Sequence, residues 1–174
     1  GVTWSQKGGT VVCQHMLLEG EPVRTLEPAD QEKLKRASQL NIEARQLFMQ
    51  KKSEEALSKM KEASALFVQV HGENHYDAGN SFTNLASILQ AIGRKDEAEK
   101  LWLQALKVHE AALGTSHPHT TLTCLNLGKY YMDKGDRAKA KEHWTRCRDD
   151  WNNILGPDYP LVKSLTPLLA GMEE

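Results

Sequence analysis

A chain that repeats itself at a fixed step must build the same small unit several times and lay each copy against the next. Here the step is 42 residues: it separates Gly72, Gly114 and Gly156, then Leu85, Leu127 and Leu169, and it recurs between Gly93 and Gly135, Ala98 and Ala140, and Trp102 and Trp144. No insertion breaks the frame. The segments that follow the first glycine of each set also match, reading Gly72-Glu-Asn-His75-Tyr-Asp, Gly114-Thr-Ser-His117-Pro-His and Gly156-Pro-Asp-Tyr159-Pro.

Within each unit the pattern reads helix, tight turn, helix. Phe82, Leu85, Ala86, Leu89 and Ile92 follow a helical rhythm on one face. Gly93 suits the left-handed residue that ends a helix. Asp96 with Glu99 three residues on reads as a capping pair that opens the next helix, which carries Ala98, Leu101, Trp102, Ala105, Leu106 and Val108 inward and stops at Gly114. The third unit has Cys124, Leu127, Gly128 and Tyr131 before Gly135 and a helix from Ala138 to Leu155 after it; the first has Leu40, Ala44 and Leu47, a turn at Lys51–Ser53, then Ala56, Met60 and Ala63. Small residues at Ala44, Ala86 and Gly128 match Ala56, Ala98 and Ala140 twelve positions later. They let paired helices approach closely, while Met60, Trp102 and Trp144 fill the wider gaps.

Composition removes several classes of function. With 22 Lys and Arg against 23 Asp and Glu, the 174 residues carry a net charge of −1, without the cationic surplus that coating nucleic acid or anionic lipid requires. No apolar run approaches the roughly 18 residues of a membrane span, so neither a nucleic-acid partner nor membrane insertion is expected. Cys13, Cys124 and Cys147 occur singly and cannot all pair, which favours reduced thiols and a cytoplasmic setting.

The small–twelve–small spacing, with a large residue four beyond the second small one, resembles the tetratricopeptide repeat. At 42 residues the unit resembles the kinesin light chain-like subclass in particular. The residues that carry the resemblance are His75-Tyr-Asp, Thr83-Asn-Leu-Ala86, Gly93, Ala98-Glu-Lys-Leu-Trp102 and Ala105-Leu106, then His117-Pro-His, Leu125-Asn-Leu-Gly128, Gly135, Ala140-Lys-Glu-His-Trp144 and Cys147. It covers about residues 29–170. The resemblance implies an all-α fold, a right-handed α-solenoid of antiparallel helix pairs. Residues 1–28 stand apart as a non-repeat extension, and 29–174 give three repeats plus a partial fourth helix. In the extension, Thr10–Leu18 leaves three readings open: a short strand, a pre-helix, or a segment ordered against the solenoid. In the partial fourth unit, Pro167 should kink or shorten the helix.

A solenoid of this kind buries one face of its first helices and leaves the opposite face to line an extended concave surface. By rotation that surface holds Asn80, Thr83, Asn84, Ser87 and Gln90 in the second unit and Leu122, Asn126, Lys129 and Asp133 in the third. The first contributes Ser38, Asn41 and Arg45, with Phe48 or Met49 beside them. Amide side chains both donate and accept, so a ladder of them can pair with an extended peptide backbone, and Arg45 and Lys129 can hold a carboxylate in it. The resemblance adds that Asn84 and Asn126 contact bound peptide. The basic clamp that some tetratricopeptide domains use for a C-terminal carboxylate is missing, since its third-unit positions hold Leu122 and Asn126. The expected partner is therefore an extended or short helical peptide of another protein. An alternative is a structural subunit that self-associates or docks through its convex face or ends, because the incomplete fourth unit leaves Leu161, Leu165 and Leu168 partly uncovered.

Nothing points to catalysis, a cofactor or a resident metal. Cys124 with a nearby histidine is the one conceivable nucleophile pair, and Cys124 occupies a core slot equivalent to Phe82 and Leu40. His71, His75, His117 and His119 invite a metal reading, but the repeated turn accounts for His75 and His117 without one. Trp4 and Trp151 fall outside the repeat's core slots.

Overall fold

The computed structural model describes residues 26–172 together with the backbone of 6–7 and 10–11. Helices α1 (Pro28–Met49), α2 (Ser53–His71), α3 (Tyr76–Ala91), α4 (Lys95–Leu113), α5 (Pro118–Lys134), α6 (Arg137–Leu155) and α7 (Pro160–Ala170) follow in chain order. They pair as α1/α2, α3/α4 and α5/α6. Each pair leans on the next through α2/α3 and α4/α5, and α7 closes against α6. The result is an all-α solenoid. Ahead of it, β1 (Gln6–Lys7) and β2 (Thr10–Val11) form a short antiparallel ladder with Gln6 opposite Val11. The remainder of Thr10–Leu18, with Trp4 and Cys13, lies outside the described residues.

Three near-identical turns join the helices of each pair. At Gly93 the chain turns left-handed (φ +85°), the Arg94 N–H donates to the Leu89 carbonyl at 2.9 Å, and the Gly93 N–H donates to Gln90 at 3.0 Å. This is a Schellman ending, which satisfies carbonyls the helix would otherwise strand. Asp136 and Gly135 make the same bonds to Tyr131 and Met132, and Lys52 and Lys51 make them to Leu47 and Phe48. In the first turn, however, the left-handed residue is Lys51, at φ +62°. An L side chain there costs about 1–2 kcal/mol, and glycine's greater unfolded-state freedom returns part of that. Lys51→Gly is therefore expected to stabilise the chain by about 0.5–1 kcal/mol, read as a higher urea midpoint with unchanged slope; an equal or lower midpoint would count against the strain.

The turns between pairs are a different device. Gly114 takes φ +89° and ψ 165°, in a region essentially reserved for glycine, and Gly72 and Gly156 repeat it. After Gly72 and Gly114 the next helix is then capped by a histidine side chain, whereas Tyr159 makes no side-chain cap on α7. His75 Nδ1 accepts from the Asp77 N–H at 3.3 Å, and His117 Nδ1 accepts from the His119 N–H at 3.2 Å. Helix geometry thus explains the histidine that recurs three residues after the glycine.

The core follows the small-and-large pattern. Ala44, Ala56, Ala86, Ala98 and Ala140 are fully buried with Met60, Trp102 and Trp144 among them. Gly128 shows why one of the small residues had to lose its last carbon. A Cβ there would lie 2.1 Å from Trp144 Nε1. Its absence lets the indole settle onto α5 and donate to the Leu125 carbonyl at 3.3 Å. Opposite Trp102 the register places Ala86, and there the indole Nε1 is buried without a partner.

The structure corrects the capping pair at the start of α4. The helix opens at Lys95, the preceding Arg94 makes no side-chain cap, and the Asp96 side chain is 91% exposed. Glu99 turns the other way and clasps α5: its carboxylate accepts from Tyr130 Oη, Tyr131 Oη and Lys134 Nζ, each at 2.8 Å. Pro167 lies within α7, which runs 11 residues where α3 runs 16 and α5 runs 17. Trp151 packs into the solenoid, stacking on Tyr159 at 5.0 Å and donating to the Thr121 hydroxyl. Among the described residues no helix is long and apolar enough to cross a membrane.

Candidate functional site

The first helices α1, α3 and α5 share one face, and three cavities open along it. The middle one, about 250 Å³, is lined by Asn41, Arg45, Asn80, Thr83, Asn84 and Leu122, with His109 and His119 at its far wall. Beside it, about 240 Å³ opens among Arg45, Asn84 and Ser87 over an apolar floor of Phe48, Met60 and Ile88, with the exposed Met49 at its rim. The largest, about 470 Å³, lies toward the start of α3 and takes in Ser38, Asn41 and Asn80 together with Leu34, Ile42, Phe67, His71, Tyr76, Asp77 and Ser81.

Eight of the twelve groove positions read from the sequence therefore line these cavities, namely Ser38, Asn41, Arg45, Asn80, Thr83, Asn84, Ser87 and Leu122, and Phe48 and Met49 line them too. The other four, Gln90, Asn126, Lys129 and Asp133, lie on α3 and α5 outside them. Two amides form a rung across neighbouring first helices, Asn84 Nδ2 donating to Asn41 Oδ1 at 3.1 Å. Leu122 is half exposed, at 50%.

Thr83 has a different role from its neighbours. It is 6% exposed, donates to the Gly79 carbonyl at 3.1 Å and meets the Thr123 hydroxyl at 3.1 Å. Thr123 also contacts His109 Nδ1 at 3.1 Å. The Thr83 and Thr123 hydroxyls and His109 Nδ1 thus satisfy one another beneath this face, while His109 Nε2 is buried without a hydrogen-bond partner, and Thr83 supports the floor. Burial, with His119 and His117 nearby, pushes the His109 pKa down to about 4, leaving a neutral ring at neutral pH. The ring has room because Gly79 lacks a Cβ, which would lie 2.8 Å from it.

Reading the groove by rotating the first helices alone misses what the second helices contribute. Met60, Phe67, His71 and His109 reach the cavities through the gaps between first helices. Met60 falls at a core slot by its spacing, and burial alone does not say that a core residue also floors a cavity.

The Cys124 thiol is 4% exposed and lies 3.8 Å from His143 Nδ1. Burial, ahead of the nearby charges, pushes its pKa up to about 11, so it stays a protonated thiol at neutral pH. Burial raises Cys147 likewise, to about 12.

Family models for the tetratricopeptide repeat match residues 36–111 and 120–160. The chain belongs to the tetratricopeptide repeat family. Its repeats are similar to those of kinesin light chain-related 3 of Arabidopsis thaliana, at 39% identity over 88 residues, 51% of this chain and 14% of that protein. They are also similar to a clustered mitochondria protein homolog of Aspergillus oryzae, at 27% over 99 residues, 57% of this chain and 8% of that one. The chain thus spans a small part of the curated relatives it matches. Among solved structures, a Podosopora anserina putative kinesin light chain with nearly identical repeats superposes with a TM-score of 0.68 at 21% identity, covering 79% of this chain and 65% of that one. BtubC from P. vanneervenii gives 0.65 at 15%, covering 79% and 63%. At these identities the structures speak for the fold. A tetratricopeptide solenoid of this type is a protein-interaction scaffold, which is the general role the chain shares with its family.

Proposed function

We propose that this scaffold takes an extended or short helical peptide of a partner protein along the face formed by α1, α3 and α5. The observation that carries the reading is the alternation along that face. The amide rung of Asn84 and Asn41 and the Arg45 guanidinium stand next to an apolar floor of Phe48, Met60 and Ile88 with Met49 at its rim. Amides can pair with a peptide backbone while the floor takes an apolar side chain and Arg45 takes a carboxylate. Asn126 and Lys129, further along α5, extend the track toward the third repeat.

The test is to select peptides from a random display library on the folded chain and measure their affinity for Asn84→Ala/Asn126→Ala. Each lost amide contact is worth about 1 kcal/mol, so the double variant is expected to bind about 30-fold more weakly with unchanged helicity and melting. Equal binding of the selected peptides by the double variant would remove the groove assignment.

A second reading, docking through the C-terminal end, draws on Ile154 at 59%, Leu155 at 50% and Leu168 at 43% exposed. Light scattering separates the two: self-association that Leu168→Lys abolishes favours the end, and a monomer at all concentrations disfavours self-stacking.

A further inference from the structure

Beside the groove, at the first turn between repeats, three ligand-type side chains converge. His71 ends α2, and His75 and Asp77 open α3. Asp77 Oδ2 lies 3.6 Å from His71 Nε2 and 3.5 Å from His75 Nδ1, and the three atoms fall within 4.8 Å of one another. The two imidazoles stack, with centroids 4.1 Å apart and planes 20° from parallel, so both rings turn a nitrogen to one carboxylate oxygen. In a tetrahedral shell with bonds of about 2.0–2.1 Å, neighbouring donor atoms stand about 3.3 Å apart. Two of the three donor–donor distances are thus already within a few tenths of an ångström of what an ion would impose.

The repeat itself supplies the comparison. Capping α3 needs a histidine at 75, as capping α5 needs His117. It asks nothing of position 71, whereas Asp77 also belongs to the His75-Tyr-Asp segment and to the first turn of α3. One repeat on the two positions are Leu113 and His119, and two repeats on they are Leu155 and Leu161. The full set of three therefore occurs at this one turn, completed by His71. Its side chains are 19%, 34% and 26% exposed, enough enclosure to hold them in place and enough opening for an ion to enter. His75 Nδ1 carries a lone pair, since it already accepts the Asp77 N–H at 3.3 Å. His71 and Asp77 also line the cavity of about 470 Å³, which leaves room for a water on a remaining coordination position.

We propose that His71 Nε2, His75 Nδ1 and Asp77 Oδ2 bind a divalent first-row transition ion of the zinc type, with its fourth position open to the cavity. Two imidazoles and one carboxylate match the zinc donor set, whereas calcium and magnesium call for oxygen shells. Binding exchanges the long 3.3 Å bond from the Asp77 N–H to Nδ1 for a coordinate bond, and it clamps α2 to α3. Because the unfolded chain does not hold the three groups together, the ion stabilises the fold by linkage.

The experiment uses the full chain without a histidine tag and with Cys13→Ser, which removes an N-terminal thiol. Zinc is titrated calorimetrically, cobalt by its tetrahedral visible absorption, and melting is followed with and without zinc. One ion per chain and a zinc-dependent rise in Tm are expected. His71→Leu, which installs the residue found in the next two turns, is expected to keep the helicity, weaken binding at least about tenfold and erase the rise in Tm. His119→Leu is expected to change neither. Absence of saturable binding by the parent chain, or binding undiminished in both His71→Leu and Asp77→Asn, overturns the site.

Discussion

Trp102→Ala is expected to cost the fold about 4 kcal/mol, the largest effect of any single truncation in this chain. The side chain is 1% exposed in the middle of the principal core, and its ring meets Tyr130 of the next repeat at 5.6 Å. Truncation leaves a cavity that neighbours on two repeats must share, and a solenoid's stability lies largely in such junctions. Trp102→Phe should cost much less. It keeps an aromatic ring against Tyr130 and removes an indole N–H that is buried without a partner, a group whose burial is itself unfavourable. Urea unfolding followed by far-ultraviolet circular dichroism checks both. A loss below about 1 kcal/mol for Trp102→Ala would mean that the junction collapses readily around the gap.

Glu99→Ala is the second large expectation, at about 3 kcal/mol, because it strands buried hydroxyls rather than merely removing a bond. Tyr130 and Tyr131 are 1% and 2% exposed, and both donate to this carboxylate along with Lys134. Burial alone would raise the Glu99 pKa. The bonds from Lys134, Tyr131 and Tyr130 outweigh it and hold the group down at about 2. The folded state therefore releases this proton more readily than the unfolded chain, whose carboxyl titrates near 4.5. The stabilisation is complete above pH 4.5 and is lost as the pH falls toward 2. After allowance for screening at a partly exposed site, that loss is about 2 kcal/mol. Glu99→Gln should be less stable at neutral pH and should lack this part of the acid sensitivity. Denaturation series at pH 7, 4.5 and 3 separate the variants, and parallel acid profiles would show that the clasp contributes little.

Glu99 also illustrates how sequence reading misleads and how it can be repaired. Asp96 with Glu99 has the spacing of a capping pair, yet the Schellman ending at Gly93 and Arg94 already delivers the chain into α4, and the exposed Asp96 caps nothing. The informative signal was departure from the repeat. Tyr130 and Tyr131 stand where the second repeat has Ile88 and Leu89, and Glu99 stands where the first has Leu57. Polar groups that appear at core slots in one repeat need partners, and here they found one another. The same logic marks His71 and Asp77, which the sibling turns lack.

The candidate groove was legible in part. Helical rotation names the polar rungs Asn41, Asn80, Asn84 and Ser87 because they share one face of one helix type. It cannot name Met60, Phe67 or His109, which arrive from second helices, nor can it withdraw Thr83, whose hydroxyl is spent on Gly79 and Thr123. Those facts depend on how far apart neighbouring first helices stand, and side-chain volume summed across a junction decides that distance.

By itself the sequence determined the period, the helix pairs, the glycine turns that recur in the frame, and the small-against-large matching that lets pairs close. These are local requirements of backbone sterics and of one residue's size against another's, and the 42-residue frame writes them out more than once. The tertiary structure alone decided which polar groups meet across junctions and which faces stay open as cavities. Those outcomes rest on distances between residues far apart in the chain, set when helices pack ridge into groove, and no window of sequence contains them.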